Sequence, residues 1–137
     1  MMNRNTQSKG TTIVVIDDDA GIRDSLSDLL ALEDWNCVTA GTGQGGIDLV
    51  GSVKPQLVVT DVQLPDISGY QVCQSLKRDP VSKGVPVVMI TGRFTEPEDK
   101  VQGFESGADE FFAKPFDPVL FVARIKSILR GLTPQAA

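Results

Sequence analysis

The sequence predicts an α/β domain built on a doubly wound, five-stranded parallel sheet in the order 2-1-3-4-5, with helices on both faces. Two observations support this prediction. Strand-like and helix-like segments alternate five times along the chain, which is typical of a doubly wound sheet. Three of the strand-like segments are almost continuously apolar, as expected for parallel strands that are covered on both faces.

The five predicted strands differ in polarity. Three are short apolar runs rich in β-branched residues: Thr12–Ile16, Gln56–Thr60 and Val85–Ile90. Two mix polar and apolar residues: Asn36–Ala40 and Glu110–Ala113. Right-handed crossovers place strand 2 on one side of strand 1 and strands 3, 4 and 5 on the other side. Because this order puts the apolar strands in the middle and the mixed strands at the edges, composition and topology agree.

Apolar residues recur at helical spacing between the strands and predict five helices. In chain order the stripes are Ile22, Leu26, Leu29 and Leu30; Ile47, Val50 and Val53; Val72 and Leu76; Val101 and Phe104; and Phe121, Ile125, Ile128 and Leu129. Asp19 is predicted to cap the first helix, which should begin near Ala20.

Length and composition limit the class of protein. The 137 residues suit one domain, and we expect a flexible tail at 1–10, the folded domain at 11–131 and a second tail at 132–137. The net charge of −5 and the lack of a basic run argue against nucleic acid as a direct partner. No segment suggests a transmembrane helix or a signal peptide. Cys37 and Cys73 form no CxxC pair, so we expect reduced cysteines and a cytoplasmic protein.

The chain contains no histidine. This excludes a Ser-His-Asp triad, a Cys-His pair and a zinc site with histidine ligands. Any chemistry must therefore use carboxylates, hydroxyls and amines.

Polar side chains follow the predicted strands at one edge of the sheet. In a doubly wound sheet, ligands bind beyond the carboxyl ends of the strands, near the switch point between strands 1 and 3. The residues at these ends are Asp17 and Asp18 after strand 1, Asp61 at strand 3, Thr91 at strand 4 and Lys114 at strand 5. Three carboxylates, a hydroxyl and an ammonium group are therefore expected to meet at this edge.

These groups suit phosphoryl transfer to a carboxylate. Crowded carboxylates resist ionising together, and a hard divalent cation such as Mg²⁺ relieves their repulsion. A carboxylate can act as a nucleophile and form an aspartyl phosphate, and the reaction then needs mainly positioning and charge neutralisation. Singly, the acids could be a helix cap and loop charges, Thr91 a strand end and Lys114 a surface charge. Their occurrence at one edge favours Asp61 as a phosphoacceptor.

The loop after Asp61 carries turn residues. Pro65 and Gly69 punctuate the segment that leads into the third helix. Gly69 either serves the turn alone or keeps space open beside the site.

Four segments together resemble the receiver domain of two-component response regulators, a flavodoxin-like domain of the kind found in chemotaxis regulators. They are the apolar strand followed by Asp17 and Asp18, VVTDVQLPDISG around Asp61, MITG at Thr91, and GADEFFAKPF, which contains Lys114. The resemblance runs from about Thr12 to Gly131 and covers nearly the whole chain.

The resemblance implies a phosphoacceptor and a metal site. Asp61 would accept a phosphoryl group from a sensor histidine kinase or a histidine phosphotransfer protein. Asp18, Asp61 and the main-chain carbonyl of Gln63 would bind Mg²⁺ directly, and Asp17 would act largely through water.

The resemblance also implies a switch. Lys114 would pair with the phosphoryl group, and its peptide bond to Pro115 is expected to be cis. Thr91 would move toward the phosphoryl group on activation, and Phe111 would turn inward with it. Many receivers have tyrosine at the position of Phe111, and a phenyl ring buries no hydroxyl when it turns inward.

The fourth helix, the fifth strand and the fifth helix are predicted to form the output face. The run Val119–Ala123 has more apolar residues than one buried stripe needs, and exposed apolar area usually marks an interaction site. Receivers that dimerise through this face often have glutamate at the position of Leu120, and the other charges available here are Asp109, Glu110, Arg124 and Lys126. We therefore expect a protein partner, or an apolar homodimer formed on phosphorylation, unless the C-terminal tail covers this face.

Three other functions are weaker. A haloacid-dehalogenase-like, Mg²⁺-dependent phosphatase would use the spacing of Asp17 and Asp19, but that class has its nucleophile after strand 1 and further acids after strand 4, where this chain has Gly92-Arg93-Phe94. A flavodoxin-like FMN carrier needs a hydroxyl-rich loop after strand 1, and here that loop is acidic. A silent structural module would not need the full set of site residues. We predict a receiver that is not an enzyme, either stand-alone or the N-terminal piece of a longer regulator.

Overall fold

The computed structural model describes residues 10–92 and 97–132, and within them five strands alternate with five helices. The elements are β1 (Thr12–Ile16), α1 (Ala20–Ala31), β2 (Asn36–Ala40), α2 (Gly43–Val53), β3 (Leu57–Asp61), α3 (Gly69–Arg78), β4 (Val87–Thr91), α4 (Pro97–Glu105), β5 (Glu110–Ala113) and α5 (Pro118–Leu132). The predicted tails, 1–10 and 132–137, lie almost entirely outside the described residues, so the domain boundaries stay a prediction. None of the described helices is long and apolar enough to cross a membrane.

The strands form one parallel sheet in the order β2-β1-β3-β4-β5, which confirms the predicted topology. β1 lies between β2 and β3, so the chain reverses its direction of winding there. Asp61 is in register with Ile90, and Thr91 is in register with Ala113. All strand ends that carry the candidate site therefore meet at the same edge.

The two central strands β3 and β4 end one residue later than the apolar runs that predicted them. β3 ends at Asp61 and β4 ends at Thr91. β4 also begins late, because Val85 belongs to a turn in which its N–H donates to the Ser82 carbonyl at 2.9 Å. The sheet itself therefore holds the backbones of Asp61 and Thr91.

Alternate residues of the central strands face opposite layers of the core, as the pleat of a strand requires. One layer packs α1 and α5 against the sheet. Its fully buried members include Ile13, Val15, Leu30, Leu57, Val59, Val88, Ile90, Phe121 and Ile125. The other layer packs α2 and α3 against the opposite face. Its fully buried members include Val14, Ile16, Val58, Val72, Cys73, Val87 and Met89. Both faces are covered, which explains the continuous apolar runs.

The orientation of α4 differs from the expectation. The predicted stripe residues Val101 and Phe104 are 54 % and 50 % exposed, although the helix itself is present. Among the residues of this helix whose burial is described, the buried one is Gly103, where an added Cβ atom would lie 3.0 Å from Phe111 Cδ2. The helix approaches β5 through a glycine, so its larger apolar side chains remain at the surface.

Two helices begin directly after the strands that carry the site. Asp19 caps α1, as predicted, and its carboxylate accepts hydrogen bonds from the N–H groups of Gly21 at 2.8 Å and Ile22 at 3.3 Å. Ser68 caps α3 and exchanges hydrogen bonds with Gln71 in a capping box. These caps fix where the loops after β1 and β3 turn into helices.

Candidate functional site

Three carboxylates gather at the carboxyl edge of the sheet. Asp17 is fully buried, Asp61 is 7 % exposed and Asp18 is exposed. One carboxylate oxygen from each lies within 4.8 Å of the others. The structure thus brings together the three acids that the sequence analysis selected, and their all-oxygen donor set is of the type that Mg²⁺ prefers.

The Lys114 ammonium group lies between two of these acids. Its Nζ is 2.9 Å from Asp17 Oδ2 and 3.2 Å from Asp61 Oδ2. The Lys114 N–H also donates to the Thr91 carbonyl at 2.6 Å, so the backbones of two site residues are joined. The Lys114–Pro115 peptide bond is cis, as the resemblance implies.

Asp17 is held on several sides. Its Oδ1 accepts a hydrogen bond from the Asp19 N–H at 2.9 Å, and its backbone carbonyl accepts one from Arg23 Nη1 at 2.7 Å. Sequence reasoning missed Arg23, because an arginine in the first turn of α1 resembles an ordinary surface charge. Both carboxylate oxygens of Asp17 are therefore engaged, one by Asp19 and one by Lys114.

Burial and neighbouring charges shift two pKa values in the site. Burial raises the pKa of Asp61 above its ordinary value, and the charge on Asp17 adds to this, while the Gln63 N–H and the Lys114 ammonium oppose it. Burial alone would lower the pKa of Lys114, but its hydrogen bond to Asp17 and the charges on Asp61 and Asp17 raise the pKa overall. Lys114 therefore stays charged, and Asp61 holds a proton more readily than an exposed aspartate.

The loop after β3 folds back onto Asp61. The Gln63 N–H donates to Asp61 Oδ1 at 3.1 Å, and the Gly69 N–H donates to the Val62 carbonyl at 2.7 Å. A Cβ atom at Gly69 would overlap the Asp61 carbonyl oxygen and lie 2.9 Å from Val62 Cα. Close backbone approach, and not turn conformation alone, requires glycine at this position.

The two predicted switch residues are buried. Thr91 is the last residue of β4, and the Phe111 ring packs inward beside Met89 and Gly103. The inward position agrees with the absence of a hydroxyl group on Phe111, because its burial leaves no polar atom to satisfy.

A further carboxylate joins the loop to a different helix. Asp66 Oδ1 accepts a hydrogen bond from the Gly43 N–H and Oδ2 accepts one from the Gln44 N–H, both at 2.8 Å. These contacts, led by that from Gln44, hold the pKa of Asp66 below its ordinary value. Sequence reasoning treated Asp66 only as part of a turn, and a proline–aspartate pair before a helix suggests a cap for α3, a position that Ser68 occupies instead.

The sequence matches the response regulator receiver domain family over residues 13–126. The chain is 37 % identical over 125 residues to the phosphate regulon transcriptional regulatory protein PhoB of Pseudomonas aeruginosa, covering 91 % of this chain and 54 % of PhoB. It is 39 % identical over 127 residues to the DNA-binding dual master transcriptional regulator RpaA of Synechocystis, covering 91 % of this chain and 52 % of RpaA. The chain spans about half the length of these curated relatives.

Solved structures agree with this match. A putative response regulator from Chloroflexus aurantiacus superposes with a TM-score of 0.82 at 32 % identity, covering 88 % of this chain and 98 % of that one. The beryllofluoride-activated N-terminal receiver domain of RstA from Klebsiella pneumoniae superposes with a TM-score of 0.81 at 25 % identity, covering 88 % of this chain and 99 % of that one. Because the family match covers most of the chain and agrees with the sheet order described above, this chain belongs to the response regulator receiver domain family.

Proposed function

We propose that Asp61 accepts a phosphoryl group from a sensor histidine kinase or a histidine phosphotransfer protein, and that this modification switches a protein-interaction surface. The observation that carries the proposal is the setting of Asp61. Its nearly buried carboxylate ends a central strand and faces the Gln63 N–H on one oxygen and the Lys114 ammonium on the other. This setting provides a positioned nucleophile with hydrogen-bond donors beside it.

The chemistry is a substitution at phosphorus. One carboxylate oxygen of Asp61 forms a bond to phosphorus while the bond from phosphorus to the donor nitrogen breaks. The donor imidazole keeps the electron pair. The transferred group brings negative charge to the buried edge, and we assign the Lys114 ammonium and the Thr91 hydroxyl as the groups that donate to its oxygens.

Mg²⁺ fits the same edge. The carboxylates of Asp18 and Asp61 and the main-chain carbonyl of Gln63 would hold the ion directly, and it would neutralise charge on the phosphoryl oxygens when bound. Asp17, whose carboxylate oxygens accept from the Asp19 N–H and the Lys114 ammonium, would act largely through water.

The output surface that we favour lies on α4, β5 and α5. Val119 and Leu120 are 75 % and 61 % exposed, and Val101 and Phe104 of α4 are half exposed. The four charged residues that the sequence analysis named for this face already have partners within the chain. The pairs are Arg124 with Glu110 at 2.6 Å, Lys126 with Glu33 at 2.9 Å and Lys77 with Asp109 at 3.4 Å. Exposed apolar area with internally paired charges favours a protein partner, or an apolar homodimer, over a dimer held by salt bridges.

The remaining assignments follow from the same proposal. The chain acts as a signalling domain and not as a phosphatase, and it resides in the cytoplasm. RpaA is named as a DNA-binding regulator, but the net charge of −5 favours protein over DNA as the direct partner of this chain.

The test is phosphorylation by acetyl phosphate with Mg²⁺, followed by mass spectrometry. The wild-type protein should gain one phosphoryl group, Asp61→Asn should gain none, and chelation of the metal should stop labelling. Asp48→Asn, an exposed acid on α2, is the matched control and should label normally. Stoichiometric labelling of Asp61→Asn, or undiminished labelling after rigorous chelation, would refute the proposal. Turnover of a generic phosphate ester would favour the phosphatase alternative.

A further inference from the structure

One carboxylate ties the loop between β3 and α3 to a helix distant in sequence. Asp66 lies 23 positions after Gly43, yet its two oxygens each accept one backbone N–H from the first turn of α2, at 2.8 Å. The side chain is exposed, so burial does not force this contact. A carboxylate is favoured there because the first N–H groups of a helix have no partner within the helix and carry partial positive charge.

Packing reinforces the same attachment. Ile67 follows Asp66 and lies against Gly43, where an added Cβ atom would overlap Ile67 Cγ1. Leu64 and Ile67 are partly buried against the core layer on this side of the sheet. The far end of the loop therefore docks on the first turn of α2 through two hydrogen bonds and one apolar contact.

The near end of the same loop faces the phosphoacceptor. The Gln63 N–H donates to Asp61 Oδ1 at 3.1 Å, and Gln63 is only three positions before Asp66. Pro65 lies between them and restricts the backbone, because its ring fixes φ. A displacement of Asp66 would therefore be transmitted to Gln63.

We propose that Asp66 is a positioning residue for phosphoryl acceptance, which acts by fixing the loop that presents Gln63 to Asp61 and to Mg²⁺. This inference rests on the proposed function of Asp61. A site of this kind must hold its groups to within about 0.5 Å, and outer contacts supply that precision. Asp66 supplies it by anchoring the loop to the first turn of α2, a helix that packs against β1.

The chemistry of the contact predicts a graded series of variants. Asp66→Ala removes both acceptors. Asp66→Asn keeps one carbonyl oxygen, but its amide group is a donor and cannot accept the second N–H. The expected order of Mg²⁺ affinity is therefore the wild type first, then Asp66→Asn, then Asp66→Ala.

The same helix offers a matched control. The Thr42 hydroxyl oxygen caps α2 by accepting the Gly45 N–H at 3.0 Å. Thr42→Ala weakens the start of α2 without removing any contact to the loop, so it measures the effect of helix stability alone.

The experiment is a Mg²⁺ titration of the resting protein, followed through the backbone amide signal of Gln63, together with acetyl phosphate labelling over a range of Mg²⁺ concentrations. Asp66→Ala should bind Mg²⁺ about tenfold more weakly, with Asp66→Asn between it and the wild type. The labelling rate at saturating Mg²⁺ should stay near that of the wild type, so the loss appears as a higher Mg²⁺ requirement. Thr42→Ala should match the wild type in both measurements.

The outcomes separate this inference from the proposed function. Equal Mg²⁺ affinities for Asp66→Ala and Thr42→Ala, in a wild-type background that labels on Asp61, would overturn the positioning role alone. Failure of the wild type to label would overturn the proposed function instead. If Asp66→Ala does not fold, the comparison of Asp66→Asn with Thr42→Ala decides the question. A lower Mg²⁺ affinity for Asp66→Asn supports the positioning role, and equal Mg²⁺ affinities reject it.

Discussion

Lys114 Nζ lies 3.2 Å from Asp61 Oδ2, although the two residues are 53 positions apart in the chain. The same nitrogen is 2.9 Å from Asp17 Oδ2, so one ammonium group is the shared counter-ion of two buried carboxylates. This arrangement offsets the repulsion between the two carboxylates. A phosphoryl group on Asp61 would bring new oxygens that compete for the same ammonium.

Lys114→Ala should separate the role of the ammonium group from that of the metal. Mg²⁺ affinity should be largely retained, while acetyl phosphate labelling, or the amide spectral change that follows it, weakens. In the absence of Mg²⁺ the variant should lose about 3 kcal/mol of unfolding free energy, because the carboxylates of Asp17 and Asp61 lose the ammonium group that pairs with both. Denaturant unfolding with and without Mg²⁺ measures this loss, and Mg²⁺ should restore part of it.

A surface pair provides the control for this variant. Lys126 lies 2.9 Å from Glu33 and its side chain is 46 % exposed. Lys126→Ala should cost less than about 1 kcal/mol, because exposed ion pairs contribute little. Normal labelling of Lys114→Ala together with a normal spectral change would reject the role of Lys114.

The metal-free stability should depend on pH through Asp61. Its pKa in the folded protein is raised above the ordinary value of 3.8, so the folded state binds the proton more tightly. This contribution is fully present below the ordinary pKa and is lost as the pH rises through the folded pKa. The wild type should therefore lose stability relative to Asp61→Asn as the pH rises above about 4.

Urea unfolding of both proteins across this pH range, with chelator present, measures the difference. Other acids with shifted pKa values, such as Asp66, affect both proteins alike and cancel. A difference that stays constant with pH would show that burial of Asp61 does not disfavour its charge.

Gly69→Ala should destabilise the fold at the site. The added Cβ atom would overlap the Asp61 carbonyl oxygen, and backbone cannot move aside as a flexible side chain can. We expect a loss of about 3 kcal/mol and weaker labelling. Gly51→Ala on α2 is the control, because nothing lies within 4 Å of its added Cβ atom. That variant should be stabilised by about 0.5–1 kcal/mol, because alanine has a higher helix propensity than glycine. Thermal unfolding measures both variants. Equal changes in stability for Gly69→Ala and Gly51→Ala would show that the close approach of Gly69 to the Asp61 carbonyl oxygen is unimportant.

Phosphorylation should alter the surface formed by α4, β5 and α5. Hydrogen exchange of the resting and beryllofluoride-treated proteins should differ in residues 95–130 as well as in the loops around Asp61, because Thr91 and Phe111 lie beneath this surface. Changes confined to the loops would rule out this surface as the output surface.

Leu120→Ser should weaken phosphorylation-dependent association, whether with a partner or with a second copy, and leave stability unchanged because the side chain is 61 % exposed. Leu32→Ser, at a 79 % exposed leucine after α1, should leave association intact.

Local and topological rules were sufficient to predict most of the candidate site. Parallel strands deliver their carboxyl ends to one edge, so the positions of Asp61, Thr91 and Lys114 at strand ends already placed them together. The capping role of Asp19 follows from the preference of helix starts for aspartate. Roles beyond placement, such as phosphoryl acceptance by Asp61, stay predictions until the experiments above are done.

Contacts between distant segments were not predictable in the same way. The stripe of Val101 and Phe104 indicated a helix but not its rotation, which depends on the fit of Gly103 against Phe111. Nothing near Asp66 shows that its carboxylate reaches Gly43 rather than the start of its own helix.

The sequence by itself determined the sheet order, the two layers of the core and the set of residues at the carboxyl edge. Hydrophobic periodicity and strand polarity can be read within windows of a few residues and locate the helices and strands. The right-handed crossover rule then gives the order of the strands. Only the tertiary structure decided that Lys114 lies between Asp17 and Asp61, that Gly69 must be glycine and that Asp66 anchors the loop to α2. These relationships depend on distances of a few ångströms between segments far apart in the chain, and short sequence windows contain no information about such distances.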